Sequence, residues 1–445
     1  MAARFGSGSL GVKIVVIGAL VALLLIPLMM LQGLVSERAS LREQAYAKVA
    51  RGWGGEQIVG GPILTIPTEC VVTEGDKTRV ERSDIYLLPA QLDVNAELKL
   101  ETEPRYVGIY AVPVYQSHLR LVGQYDFASL RPFLDRPGVT YLWDQARLRL
   151  PLSEVRSLRE VQQAHLADRQ ITFGPAGRGL YPGIEAPIDS AILTRMEPVK
   201  FDFTLVLAGS RDFSVLPLGS VTTVELRSDW PHPSFQGAFL PVERTITDSG
   251  FEARWQVLEL NRSYRQAWME DEVEAPTLLL SSFGVGLYQT VDVYQRSERA
   301  VKYALLFIAL TFLTFFAWEQ ISGIRIHPLQ YLLVGLALSV FYLLLIALSE
   351  HISFAVAYVT AASGLVVLIG TYLAGALHSH RRGIIAGGMM TVVYGLLYVL
   401  VLSEDYALLL GAVILFAALA AVMLATRKID WYRPASVAEG DSAAQ

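Results

Sequence analysis

Apolar and polar positions along this chain follow two different rules. Six stretches are almost wholly apolar. One, Ile14 to Leu34, stands alone near the N-terminus. Five crowd the last third: Tyr303 to Trp318, Tyr331 to Leu348, Phe354 to Leu377, Gly383 to Leu402 and Tyr406 to Ala425. Each approaches the roughly 20 residues that a helix needs to cross a ~30 Å hydrocarbon core. The shortest, beginning at Tyr303, is extended by Val301, and Lys302 can snorkel to the interface. Pro27 and Gln32 are the awkward residues of the first run; proline is tolerated in lipid where neighbours satisfy the freed carbonyl. Between the first run and the rest lie about 265 residues of soluble character.

In that middle section the period changes. Ser36 to Gly52 still reads as a helix, with Leu41, Ala45 and Val49 on one face, Arg38, Arg42, Lys48 and Arg51 elsewhere, and Gly52, Gly54 and Gly55 as a stop. It is expected to be a stalk that continues the first span. Beyond Gly55 the alternation is twofold. Leu92, Val94, Ala96, Leu98 and Leu100 alternate with Asp93, Asn95, Glu97, Lys99 and Glu101. Phe201, Phe203, Leu205 and Leu207 keep the same spacing, as do Phe251, Ala253, Trp255 and Val257. Such alternation predicts half-buried strands with one wet face, as in antiparallel sheets packed face to face. Turns are expected at Glu74-Gly75-Asp76, at Gly174-Pro175 with Gly177 and Gly179, and at Asp248-Ser249-Gly250. A helical insertion is expected near Leu152 to Ala167.

The fold class that follows is a polytopic α-helical membrane protein of six transmembrane helices, with a large, mainly-β, sandwich-like extracytoplasmic domain between helices one and two. The expected divisions are an N-terminus and anchor over 1–35, the β domain with its stalk over 36–300, a five-helix bundle over 301–426 and a tail over 427–445. The first run is too long for a signal-peptide core, and Ser36-Glu37-Arg38 follows it in place of a small-residue cleavage site. It is therefore read as an uncleaved anchor.

Charge sets the expected orientation. Arg4 and Lys13 precede the first run; Arg325, then Arg381 and Arg382, then Arg427, Lys428 and Arg433 fall in alternate short segments. The intervening loops carry Glu350 and His351, then Glu404 and Asp405, with no Lys or Arg. The positive-inside rule then puts both termini in the cytoplasm and carries the large domain across the membrane, which in a bacterium places it outside the inner membrane. Tyr303, Trp318, Tyr331, Trp431 and Tyr432 sit near the expected interfaces. No basic patch points to nucleic acid; the apolar spans imply the lipid bilayer as a partner, and an envelope protein or glycan is the further candidate. Cys70 is the single cysteine, which excludes an intrachain disulfide.

Candidate chemistry is sparse. Neither a nucleophile elbow, a Walker loop nor a His-Glu-x-x-His motif occurs, and no catalytic, cofactor-binding or metal-ligating set is assigned. Seven histidines are present, but only His378 and His380 are close in sequence, with no third ligand nearby. The segment from Ser228 to Phe235 holds Pro231 and Pro233, which exclude a central strand. It presents Trp230, His232 and Phe235 either as a recognition loop for an envelope protein or glycan, or as a rigid crossover whose aromatics cap the sandwich; the crossover is favoured. Lys302, Glu319, Glu350 and His351 sit at predicted helix ends. Headgroup water is expected to solvate them, a reading favoured over a structural ion pair or a transport path. Gly383 and Gly387, then Ala417, Ala421 and Ala425, are spaced to let helices approach closely.

The segments Glu298 to Phe312, His327 to Leu336 and Ala347 to His351 carry a resemblance to the CreD family of bacterial inner-membrane proteins. Val59-Gly60-Gly61-Pro62-Ile63, Trp230 to Phe235 and Ile429-Asp430-Trp431-Tyr432 support it, while Arg131 to Arg195 matches only loosely. The resemblance implies a role in cell-envelope integrity and no enzymatic reaction or cofactor. Three readings follow: a non-enzymatic envelope-integrity protein whose domain binds an envelope component; a transporter or channel dependent on Glu319, Glu350 and His351; and an envelope hydrolase with a site around His232 or His118.

Overall fold

The structure, a computed structural model, describes residues 10–74, 77–134, 136–177, 179–270, 272–287, 293–322, 324, 326–403 and 406–426. Arg4, Gly75, Asp76, Arg325, Glu404, Asp405, Arg427, Lys428, Ile429, Asp430, Trp431, Tyr432 and Arg433 lie outside the described residues. Two compact units are present: Met1–Leu41 with Val291–Gln445, and Arg42–Thr290.

The first unit is helical. Its elements are α1 (Leu10–Trp53) as far as Leu41, the rest of that helix belonging to the second unit, α2 (Val293–Ser322), α3 (Pro328–Ser349), α4 (Phe354–Ala376), α5 (His380–Leu402) and α6 (Ala407–Thr426). Among the described residues five helices are long and apolar enough to cross a membrane, α1 to α5; the apolar part of the last, Ala407–Ala420, is shorter. α1 runs unbroken through Pro27 and on through the expected stalk, so the anchor and stalk are one helix of 44 residues. α3 starts at His327 because local chemistry caps it there. The His327 Nδ1 accepts from the Leu329 N–H, the Gln330 side chain accepts from the His327 N–H, and Pro328 occupies the first turn.

The bundle closes around one apolar cluster, in which Leu24, Leu28, Leu31 and Val35 of α1 join Phe307, Phe312, Leu338, Phe341, Tyr394 and Leu397. Small residues set the close approaches. A Cβ on Gly383 would lie 2.5 Å from the Gly370 carbonyl oxygen and from the Ala374 Cβ, so α4 and α5 meet backbone to backbone there. A Cβ on Gly335 would lie 2.3 Å from Leu24 Cδ1; the glycine is the hole into which α1 sets that leucine.

The second unit is mainly β. An eight-stranded sheet runs in the order Arg169–Gln170, Leu158–Leu166, Val199–Ser210, Val114–Tyr125, Gln91–Leu100, Val221–Ser228, Gly250–Leu258, Glu243–Thr247. A seven-stranded sheet centres on Ile63–Glu74 and Lys77–Leu87, and a four-stranded sheet holds Gln57–Gly60, Asp212–Leu216, Phe283–Gly286 and Ser234–Gly237. Inward residues of all three form one continuous apolar core, including Leu64, Ile85, Leu92, Phe203, Val215, Trp255 and Phe283.

The alternating runs are strands, as their period requires, and the turn at Asp248 and Ser249 is present. Three expectations fail. Leu158–Leu166 is a strand, not a helical insertion; it pairs with Val199–Ser210 across two register shifts, and that ladder overrides the local helical tendency of Arg159 to Ala164. Gly174–Pro175 is a short strand against Gly183–Pro187 and not a turn. The sheets are also not wholly antiparallel, since Gln91–Leu100 and Val221–Ser228 pair in parallel at the centre of the eight-stranded sheet.

Candidate functional site

Glu319 and Glu350, two carboxylates of the bundle, each stand at the centre of a polar cluster whose cation comes from α1. In the first, Lys13 forms an ion pair with Glu319 near the end of α2. The Lys13 Nζ also donates to the Ile326 carbonyl at 3.0 Å, and the Tyr331 hydroxyl donates to Glu319 Oε2 at 3.2 Å. The Glu319 side chain is 5% exposed and that of Lys13 is 22% exposed. In the second cluster Arg38 Nε lies 3.5 Å from Glu350 Oε1, just beyond α3, and the Tyr294 hydroxyl donates to the same carboxylate at 3.2 Å. Here the carboxylate side chain is 9% exposed and the arginine 38%. Lys13 and Arg38 stand 25 positions apart, about 37 Å along a helix, somewhat more than the hydrocarbon thickness.

These two carboxylates are therefore not left to headgroup water, as their position at helix ends suggests. A buried anion without a partner costs several kcal/mol, and each has a cation and a tyrosine hydroxyl. The partner lies 306 positions away for Glu319 and 312 for Glu350, beyond the reach of local pattern. The other two candidates are open. Lys302 is exposed and pairs one helical turn back with Glu298 at 2.8 Å. His351 is exposed in the turn after α3.

The proline-framed segment separates its three aromatics. Trp230 is half-buried against the domain core, and its Nε1 donates to the His232 carbonyl at 2.8 Å. His232 is exposed, with its ring edge-on to Trp230. Phe235 is not on a loop. It lies on the edge strand Ser234–Gly237, packed edge-on against Phe251 and Trp255. An edge strand accepts the prolines just before it because its outer N–H groups have no ladder partner to lose.

His118 sits half-buried on the wet face of the eight-stranded sheet, opposite Glu97 and Val206. That face carries oppositely charged cross-strand pairs, including Arg120 with Asp202 at 2.7 Å and Arg227 with Glu252 at 3.3 Å. Arg120 holds the Asp202 carboxyl below the usual carboxylate range, against a smaller upward push from burial. Among the described residues no group of three His, Cys, Asp or Glu is arranged to hold a metal ion. Cys70 is half-buried and free.

One polar site was not foreseen. Arg149 is buried in the second unit. It donates to Glu185 at 2.9 Å, to the Tyr181 carbonyl at 3.3 Å and to the Gly177 carbonyl at 3.1 Å. Burial pushes the Glu185 carboxyl up, but hydrogen bonds from Arg149 and the Gly177 backbone, with the nearby Arg147 charge, bring it below its ordinary value. A Cβ on Gly179 would lie 1.8 Å from Arg149 Nη1. The glycine-rich segment that reads as a turn is thus the wrapping of a buried guanidinium. An arginine amid apolar alternation, Leu148-Arg149-Leu150, was the available signal.

The comparisons with known proteins agree over almost the whole length. Residues 9–432 match the family model described as inner membrane protein CreD. The inner membrane protein CreD of Escherichia coli (strain K12) is 36% identical over 420 residues, covering 93% of this chain and 91% of that protein. Among solved structures, the crystal structure of an M1 zinc metallopeptidase from Deinococcus radiodurans aligns with 80% of this chain and 97% of its own, at 12% identity and a TM-score of 0.20, too low to indicate a common fold. With its apolar helices, its large mainly-β unit and this match in sequence, the chain belongs to the CreD family of inner membrane proteins.

Proposed function

We propose that the protein is a non-enzymatic, multi-pass inner-membrane protein that contributes to cell-envelope integrity, with a sandwich-like β domain on the periplasmic side that binds an envelope component. On this reading α6 is a sixth span and both termini are cytoplasmic. Support comes from the distribution of Lys and Arg, which gathers in alternate short segments. The 20 residues of α6 suffice for a thin bilayer.

The observation that carries the non-transport half is the state of Glu319 and Glu350. Each is held by a cation and a tyrosine hydroxyl. Carboxylates engaged at both ends of a bundle serve its cohesion; a conduction path calls for groups that water or an ion can reach. The binding half draws on the wet face of the eight-stranded sheet and on the exposed His232, where side chains are available to a partner.

Two measurements test it. In a Cys70→Ser background, Lys200→Cys should react with a membrane-impermeant maleimide in intact spheroplasts; reaction only after lysis would overturn the topology. A photoreactive residue at His232, Arg120 or Glu225 should yield a covalent adduct with an envelope protein or glycan in living cells. If none of the three does so, the binding half is lost while the topology stands.

A further inference from the structure

We propose that the hairpin from Arg105 to Val112 is a second membrane contact of the chain, with its tip residues Tyr106 and Ile109 seated in the phospholipid headgroup layer beside the point where α1 leaves the lipid. The hairpin pairs Arg105–Val107 with Tyr110–Val112 as a two-stranded sheet of its own. Gly108 and Ile109 close it, and Gly108 takes the positive φ of 62° that so tight a turn calls for. Tyr106 is 67% exposed and Ile109 is 46% exposed. A lone two-stranded hairpin is marginal in water. This one is held at its base by α1, and its apolar tip is turned outward.

Where the tip points follows from contacts inside the second unit. The Trp53 Nε1 donates to the Tyr115 carbonyl at 3.4 Å. One turn earlier on α1, Val49 packs with Val112 and Val114, and Tyr46, Trp53 and Val107 close round them. The Arg105 guanidinium lies 4.5 Å from the centre of the Trp53 ring. From Tyr115 back to Tyr110 the chain therefore runs beside α1 from its C-terminal end toward Arg42. Three residues of strand separate Val112 from Ile109, and seven of helix separate Val49 from Arg42, about 10 Å in each case. The tip thus comes level with Arg42. Arg42 is eight positions past Leu34, where the apolar run ends, or about 12 Å of helix. A headgroup layer about 5–7 Å deep, together with the length of a tyrosine side chain, spans that distance. Charge agrees. The segments Arg42 to Trp53 and Arg105 to Val112 contain Arg42, Lys48, Arg51 and Arg105 against a single carboxylate, Glu43, which Arg211 already holds. A tyrosine and an isoleucine among basic side chains suit an anionic phospholipid surface.

The test uses the full chain, in a Cys70→Ser background, in vesicles of phosphatidylethanolamine and phosphatidylglycerol that carry a headgroup nitroxide lipid. An environment-sensitive fluorophore is attached at Ile109→Cys or, for reference, at Glu225→Cys on the wet face of the eight-stranded sheet. The nitroxide should quench the label at Ile109→Cys at least about twofold more than the reference label, as a tip lodged in the interface requires. Tyr106→Ser should remove roughly half of that excess or more, because interfacial binding scales with the apolar area buried. Tyr106→Trp, which keeps an amphipathic ring, should preserve it, and so separates loss of the membrane contact from damage to the hairpin. The proposal is overturned if the two labels are quenched alike, as a tip reserved for a protein partner would leave them. It is equally overturned if Tyr106→Ser leaves the excess intact or Tyr106→Trp abolishes it.

Discussion

Both units bury an ion pair, and they bury opposite halves of it. In the β unit the cation is the hidden partner: the Arg149 side chain is 7% exposed and that of Glu185 is 17% exposed. In the bundle the anion is hidden, with Glu319 at 5% and Lys13 at 22%. The solvents explain the difference. A planar guanidinium can spread its donors over Tyr181, Gly177 and Glu185 inside a globule rich in backbone carbonyls. A helical bundle has already used its carbonyls within its helices, so it offers a buried cation little. It buries the short carboxylate, and the long lysine arm lets the ammonium lean outward.

The largest effect that tests this contrast is expected at Arg149. Arg149→Ala leaves Glu185 and two carbonyls without their donor, and should cost about 3–5 kcal/mol of unfolding free energy, read from denaturant unfolding of the β-unit signal in the purified full chain. A loss below about 1 kcal/mol would mean that water reaches the site and the contrast is false. The same site gives a pH signature. Glu185 has a lowered pKa in the folded state, so its contribution is fully present above the ordinary glutamate value. Stability should fall as acid takes the pH below that value toward the folded pKa, and Glu185→Gln should flatten that part of the profile.

A smaller effect is expected from Glu319→Gln. The amide still accepts from Tyr331, and the partly exposed Lys13 can reach headgroups, so about 1–3 kcal/mol is expected, measured as a lowered midpoint of thermal unfolding in detergent. A cost as large as that at Arg149 would show that Lys13 has no such escape. The smallest effect belongs to Lys302→Ala. Its pair with Glu298 is exposed on both sides, and the change should stay within about 0.5 kcal/mol in the same assay.

Much of the architecture could be read directly. Runs of apolar residues placed α3 to α6 to within a few positions; α1 continues past Leu34 to Trp53 through the amphipathic stalk, and α2 begins ten residues before Tyr303 because Val293 to Lys302 is amphipathic and not apolar. Alternation placed Gln91–Leu100, Val199–Ser210 and Gly250–Leu258. The candidate sites were less legible. Position at a helix end made Glu319 and Glu350 look solvated, since nothing near them in sequence reveals a partner on α1. Phe235 looked like a loop residue because its strand is four residues long and paired on one side only. Leu158–Leu166 looked helical because its polar outer face, Glu160 to Gln163, hides the alternation.

What the chain by itself determined was its division between solvents: where it enters lipid, where it takes up a twofold period and where it carries charge. These are properties of neighbouring residues, and transfer free energy acts on neighbours. What the tertiary structure alone decided was which distant groups meet: Lys13 with Glu319, Arg38 with Glu350, Arg149 with the glycine-rich segment, and Gln91–Leu100 in parallel with Val221–Ser228. Such pairings depend on how the whole chain closes, and many sequences of the same local pattern would close differently.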